Sequence, residues 1–164
     1  MEKIKSGDEY LELRSEEELL NAFRPRDRKL VEIPSDMTFP LMVSHYLAWT
    51  EPSQARVFLL FKRPAWKAPL AVSFRRTHSS GGGGGMCDWC HSVGSSDQVG
   101  LLSMHVDPNT SLGFMLCLDL GCINRLETVS AISGKDFGKL SKNLIDKISR
   151  FFENNLKIES EPVH

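Results

Sequence analysis

No stretch of the sequence approaches the roughly 18 consecutive apolar residues that a membrane helix needs. The first twenty residues, MEKIKSGDEYLELRSEEELL, are charged throughout and lack the apolar centre of a secretory signal, so a cytoplasmic setting is expected. Charge of one sign is also missing. Twenty Lys+Arg stand against 21 Asp+Glu, a net charge of −1, which gives no global field to gather nucleic acid or a lipid surface. The halves differ little: 13 basic against 11 acidic residues in 1–86, and 7 against 10 in 87–164. Catalytic patterns are absent as well. There is no defensible Ser/His/Asp order, no His-Glu-x-x-His helix and no nucleotide loop, so an enzyme is not expected. Cysteine is scarce, at four residues. In a reducing cytoplasm these are not expected to pair as disulfides.

What is present suits one domain. The chain has 164 residues, 41% of them hydrophobic, enough to build a core without covalent staples. Residues 1–14 read as a flexible lead-in. Ser15 and Glu18 then read as a capping box for a short helix carrying Leu19, Leu20 and Phe23, ended or bent by Pro25. Pro40 suits the first turn of a second helix, with Leu41, Met42, His45, Tyr46 and Trp49 on adjoining faces. After the turn 50-TEPS-53, the runs 56–63 and 69–76 read as an antiparallel hairpin. The loop 77–85 holds five consecutive glycines and no phosphate-loop continuation, so it reads as a linker. Residues 99–106 and 112–117 form a second expected hairpin around 107-DPNTS-111. Asp119 is placed to cap a short helix running to Leu126. A long helix is expected from about 135 to 156, because Phe137, Leu140, Leu144, Ile148 and Phe151 recur on one stripe. Residues 157–164 form a tail. The fold class is therefore α+β, with antiparallel hairpins, N-terminal helices and a long C-terminal helix.

All four cysteines fall in two close pairs, Cys87-x2-Cys90 and Cys117-x4-Cys122, 26 residues apart. Cys87, Cys90 and His91 also spell Cys-x-x-Cys-His, which fits c-type haem attachment, and Cys-x-x-Cys alone fits a redox dithiol. A redox pair would follow a strand and open a long helix, whereas this one follows glycines and precedes a hairpin. Haem would leave Cys117 and Cys122 idle. The order knuckle, hairpin, helix is that of a treble clef, in which four thiolates close a tetrahedral Zn²⁺ shell with no open position. Such a metal is structural, and His91 becomes a donor beside it.

These residues carry a family resemblance. The segment 49-WTEP-52 with the strand 56-RVFLLF-61, then 86-MCDWC-90, 115-MLCLDLGC-122 and the long terminal helix resemble the FusB/FBP group. These are elongation factor G-binding proteins with a C-terminal treble-clef zinc finger. The resemblance implies one FBP-type module over 15–156, comprising helices and first hairpin (15–76), glycine-rich loop (77–85) and zinc part (86–156). It implies zinc on Cys87, Cys90, Cys117 and Cys122, a non-enzymatic role, and translation elongation factor G as partner, with its interaction with the ribosome modulated. Members known for fusidic acid resistance resemble two-domain molecules with a helical bundle ahead of the zinc part, so resistance itself is not carried over. Met104, His105, Phe114 and Arg125 are the candidate partner contacts around the second hairpin. The runner-up is a treble clef that binds nucleic acid such as ribosomal RNA, through Arg24, Arg26, Arg28, Lys29, Lys62, Arg63, Arg75 and Arg76, with Trp49 and Trp66 as stacking candidates.

Overall fold

A computed structural model describes residues 10–77 and 84–158. The element order is β1 (Tyr10–Leu13), α1 (Glu16–Asn21), α2 (Pro25–Arg28), β2 (Leu41–Ser44), β3 (Leu47–Thr50), β4 (Arg56–Phe61), β5 (Leu70–Arg76), β6 (Gly85–Met86), β7 (Val93–Gly94), β8 (Val99–Asp107), β9 (Thr110–Cys117), α3 (Cys122–Ser133) and α4 (Phe137–Asn155). The class is α+β with antiparallel pairing throughout the named strands. Five strands form one sheet in the order β3-β4-β5-β8-β9. The two expected hairpins therefore belong to a single sheet, joined by the rungs Arg75↔Ser103 and Arg76↔Leu102.

The run RVFLLF of β4 explains the layering. A strand buried on both faces needs apolar residues without alternation, and β4 is buried from Val57 to Phe61. Val57, Leu59 and Phe61 face a large core with Val72 and Phe74 of β5 and Leu144, Ile148, Phe151 and Phe152 of α4. Phe58 and Leu60 face a smaller core with Leu13, Leu19, Phe23, Val43 and Trp49. The stripe expected on the C-terminal helix thus does bury against the sheet, with Leu144 and Ile148 at its centre. Asp136 caps that helix by accepting from the Gly138 amide at 3.0 Å.

The N-terminal region departs from expectation in three places. Residues 10–13, read as flexible lead-in, form β1 and pair with β2 from Tyr10↔Ser44 to Leu13↔Leu41. The Ser15 cap holds, its hydroxyl accepting from the Glu18 amide at 3.2 Å. The Glu18 carboxylate, however, reaches the Arg14 amide, α1 ends at Asn21, and Pro25 opens α2. The helix expected from Pro40 is instead the pair β2 and β3, with His45 between them at φ 69°. Leu41, Val43, Leu47 and Trp49 sit at odd positions, so a period of two competes with the helical reading. The partners that favour the strands, β1 and β4, lie outside the local window.

Residues 78–83 of the glycine-rich loop and 159–164 of the tail lie outside the described residues. Gly84 and Gly85 are more than linker. A Cβ on Gly84 would stand 1.6 Å from the Gly94 carbonyl oxygen, so the β6–β7 ribbon closes only over glycine there.

Candidate metal centre

The two cysteine pairs arrive from different elements. Cys87 and Cys90 sit on the turn after β6; Cys117 ends β9; Cys122 is the first residue of α3. The first turn is closed by two backbone bonds, Cys87 N–H to Ser92 O at 2.9 Å and His91 N–H to Cys87 O at 2.9 Å. It requires a left-handed residue after the second cysteine, and His91 supplies it at φ 63°. The second turn repeats the device: Leu120 N–H bonds Cys117 O at 2.9 Å, with Leu120 at φ 53°. A further bond, Asp88 N–H to Met115 O at 2.8 Å, ties the first turn to β9 and so sets one pair against the other.

All four Sγ atoms lie within 4.8 Å of one another. Cys87 and Cys122 are 3.7 Å apart, and Cys90 and Cys117 are 3.5 Å apart. A disulfide requires about 2.05 Å, so these thiols are free. Four sulfurs at about 2.3 Å from a central zinc form a tetrahedron with edges of about 3.8 Å. The 3.7 and 3.5 Å pairs lie near that figure, and the cluster is buried except at Cys90. The donor set fits structural zinc with every coordination position filled by protein.

Electrostatics explain why a dication belongs here. Hydrogen bonds from Cys117 and then Cys122 pull the Cys87 thiol down to about 7, and the same neighbours lower Cys90 further. Cys122 is pushed up by its hydrogen bonds to Cys117, Cys87 and Cys90 and by burial. The packed thiols alone cannot all ionise, since each new charge faces the others in a buried space. A Zn²⁺ ion supplies the counter-charge and leaves a net charge of −2. Amides aim at the sulfur of Cys87, from Trp89 at 3.4 Å and Cys90 at 3.5 Å. The Ser92 hydroxyl stands 3.2 Å from Cys90 Sγ. Arg125 is held above its ordinary range chiefly by its hydrogen bond to Asp119.

His91 is exposed, and its Nε2 lies 2.8 Å from Lys147 Nζ, which also donates to Trp89 O at 3.2 Å. The histidine therefore anchors the turn to α4 and stands outside the sulfur cluster. Asp119 does not cap α3. Its carboxylate accepts from the Gly121 amide at 2.8 Å and from Arg125 at 3.0 Å, and α3 begins after Gly121 and runs to Ser133, beyond the expected Leu126. A test separates backbone from ligand roles at position 91. His91→Gly should leave zinc affinity within about threefold, because glycine adopts the left-handed turn freely. His91→Val should lower stability by about 1–2 kcal/mol, read by urea unfolding. A metal-ligand role would instead cost His91→Gly far more affinity.

Of the expected partner contacts, His105 is exposed, Arg125 and Phe114 are partly exposed, and Met104 is 2% exposed within the main core. Leu102, Met104 and Phe114 belong to the main core, and Leu102 and Phe114 are a cross-strand pair. Trp49 and Trp66 are buried at 8% and 3%, which removes both as stacking platforms. Four of the basic candidates are engaged within the chain: Arg24 with Asp27, Arg63 with Asp146, and Arg28 and Lys62 with backbone carbonyls. The residues missed from sequence are Lys147, Ser92 and Tyr46. Tyr46 Oη donates to Leu120 O at 2.5 Å and accepts from Ile123 N at 3.1 Å. Burial raises its pKa above the ordinary phenol range, so the phenol stays protonated.

A knuckle, a hairpin and a helix around a closed cluster of four cysteines define a treble-clef zinc finger, here continuous with a five-stranded sheet. The chain belongs to the FBP C-terminal treble-clef zinc-finger family, whose model matches residues 15–157. Among solved structures it is similar in fold to the fusidic acid resistance protein FusC, with a TM-score of 0.52 and 18% identity over 91% of this chain and 61% of that one. The chain thus spans about three fifths of the length of FusC. Among curated proteins, none matches.

Proposed function

We propose that this protein is a non-enzymatic binding module for translation elongation factor G, and that it modulates that factor's interaction with the ribosome. The family membership over residues 15–157 carries the reading. The closed sulfur shell supports it, because a zinc with four protein ligands has no position for substrate or water and acts by shaping the surface around it. Candidate contacts are His105 and Arg125; Phe114 packs against Phe151 of α4 and shapes the surface from the core side. Met104 contributes from beneath, by supporting β8.

The test is a calorimetric titration of the zinc-loaded chain against purified elongation factor G. Binding at or below tens of micromolar is expected, with His105→Ala and Arg125→Ala each weakening it about three- to tenfold. Failure to bind at those concentrations with zinc fully loaded would sink the proposal. If the complex forms, a weak dependence on salt is expected, since the chain is nearly neutral. A steep salt dependence toward ribosomal RNA would instead favour nucleic acid.

A further inference from the structure

The zinc-binding half contains a helix start that its own sequence does not cap. The N-cap of α3 is Gly121, which has no side chain to accept from the first-turn amides. The Asn124 amide bonds the Gly121 carbonyl at 3.1 Å, but the Ile123 amide needs a partner from elsewhere, because the turn is packed against the core: Leu120 is 1% exposed and Cys122 is fully buried. Leu120 also holds a left-handed φ of 53°, a conformation that a non-glycine residue adopts only when its surroundings hold it there. The partner comes from 74 residues earlier in the chain. Tyr46 Oη accepts from the Ile123 amide and donates to the Leu120 carbonyl, so one hydroxyl clasps both sides of Cys122.

Tyr46 is itself held. It follows His45, which turns the chain at φ 69° between β2 and β3. The Tyr46 amide bonds Ser44 O at 2.8 Å, and the Ser44 hydroxyl lies 3.1 Å from His45 Nδ1. The His45 ring meets Phe137, the first residue of α4, edge-on with centroids 6.3 Å apart. Consecutive side chains of one corner therefore engage the starts of both α3 and α4.

We propose that the corner Ser44–Tyr46 is a positioning element for the metal, with the Tyr46 hydroxyl acting as a helix cap in trans that pre-sets Cys122 for coordination. Zinc affinity then depends on a strand pair outside the treble clef, and the finger and the N-terminal strands bind metal as one unit. This holds whatever the partner is, since it concerns only the chain's own residues and its zinc.

The experiment uses the full chain, stripped of metal under reductant and titrated with zinc against a chromophoric chelator. Tyr46→Phe keeps the ring and removes only the hydroxyl. Its zinc dissociation constant should rise about tenfold or more, the usual consequence of losing an outer-shell partner. The Co²⁺-substituted spectrum should keep the bands of a tetrahedral four-sulfur site, because no ligand is lost. Leu19→Val, on α1 in the smaller core, controls for general loosening and should leave zinc affinity within about twofold. Tyr46→Phe binding zinc within twofold of the parent would overturn the proposal. So would Leu19→Val losing as much affinity as Tyr46→Phe. If Tyr46→Phe does not fold, hydrogen exchange on the zinc-loaded parent decides: a protected Ile123 amide supports the trans cap, and rapid exchange there overturns it.

Discussion

Cys122→Ser should lose zinc affinity by about a hundredfold or more and leave the region around β8, β9 and α3 unfolded at zinc levels that saturate the parent. Apparent binding free energies of structural zinc sites are ~10–16 kcal/mol, so one ligand in four represents about 3 kcal/mol. Cys122 is the most consequential of the four because it is both a candidate ligand and the first residue of α3. Its loss releases the helix start as well as the metal. Excess chelator should act in the same direction on the unmodified chain. Acidification should do so too, and the sign follows from the thiols. Zinc requires thiolates, and metal binding holds their folded-state pKa values below the ordinary thiol range. The stabilisation is therefore complete above the unfolded thiol pKa and is lost as pH falls through the depressed folded values. Zinc release measured by a chromophoric indicator between about pH 7.5 and 5 should rise steadily. Release that ignores pH would contradict a thiolate shell.

Phe152→Ala should cost about 3–5 kcal/mol, the range for emptying an aromatic site in a packed core. Phe152 has no exposed surface. Its ring meets Phe61 at 5.6 Å, Trp66 at 5.7 Å and Phe151 at 5.4 Å between centroids. It therefore joins α4 to β4 and to the loop after it, and truncation leaves a cavity that none of these rings can fill without leaving the others. The urea midpoint should fall sharply with little change in slope. Ile132→Ala is the comparison. Ile132 is 82% exposed on α3, and its truncation should stay within about 0.5 kcal/mol. A loss at Ile132 comparable to that at Phe152 would mean that α3 is covered in solution.

Phe152 also marks a limit of pattern reading. The stripe Phe137, Leu140, Leu144, Ile148, Phe151 was legible because a helix on a sheet buries one face at a fixed period. Phe152 lies one residue to the side of it, and only the breadth of the packed core under α4 brings it in. The hairpins were legible for a similar reason, since β4 and β5 carry apolar runs bounded by turn residues. Residues 41–49 misled because Leu41, Met42, Tyr46 and Trp49 satisfy a helical spacing as well as an alternating one. Local pattern cannot arbitrate between two periods over nine residues. The strand β1 was missed because four residues with two charges nearby carry too little signal; their pairing with β2 supplies what the sequence lacks.

The metal centre divides in the same way. The sequence by itself pointed to the four cysteines as one candidate ligand set. Cysteine spacing is fixed by the reach of a thiolate around a small ion, and a close pair on a tight turn makes half a tetrahedron wherever it occurs. Only the tertiary structure decided what surrounds it. Lys147 comes to His91 across 56 residues and Tyr46 comes to Ile123 across 77. Contacts at such separations arise from the crossing of elements and leave no period or spacing behind. The same cause settles the meaning of His91. In the sequence it completes a haem-like motif; in the fold it is the left-handed residue that closes a zinc turn, with its ring turned toward α4.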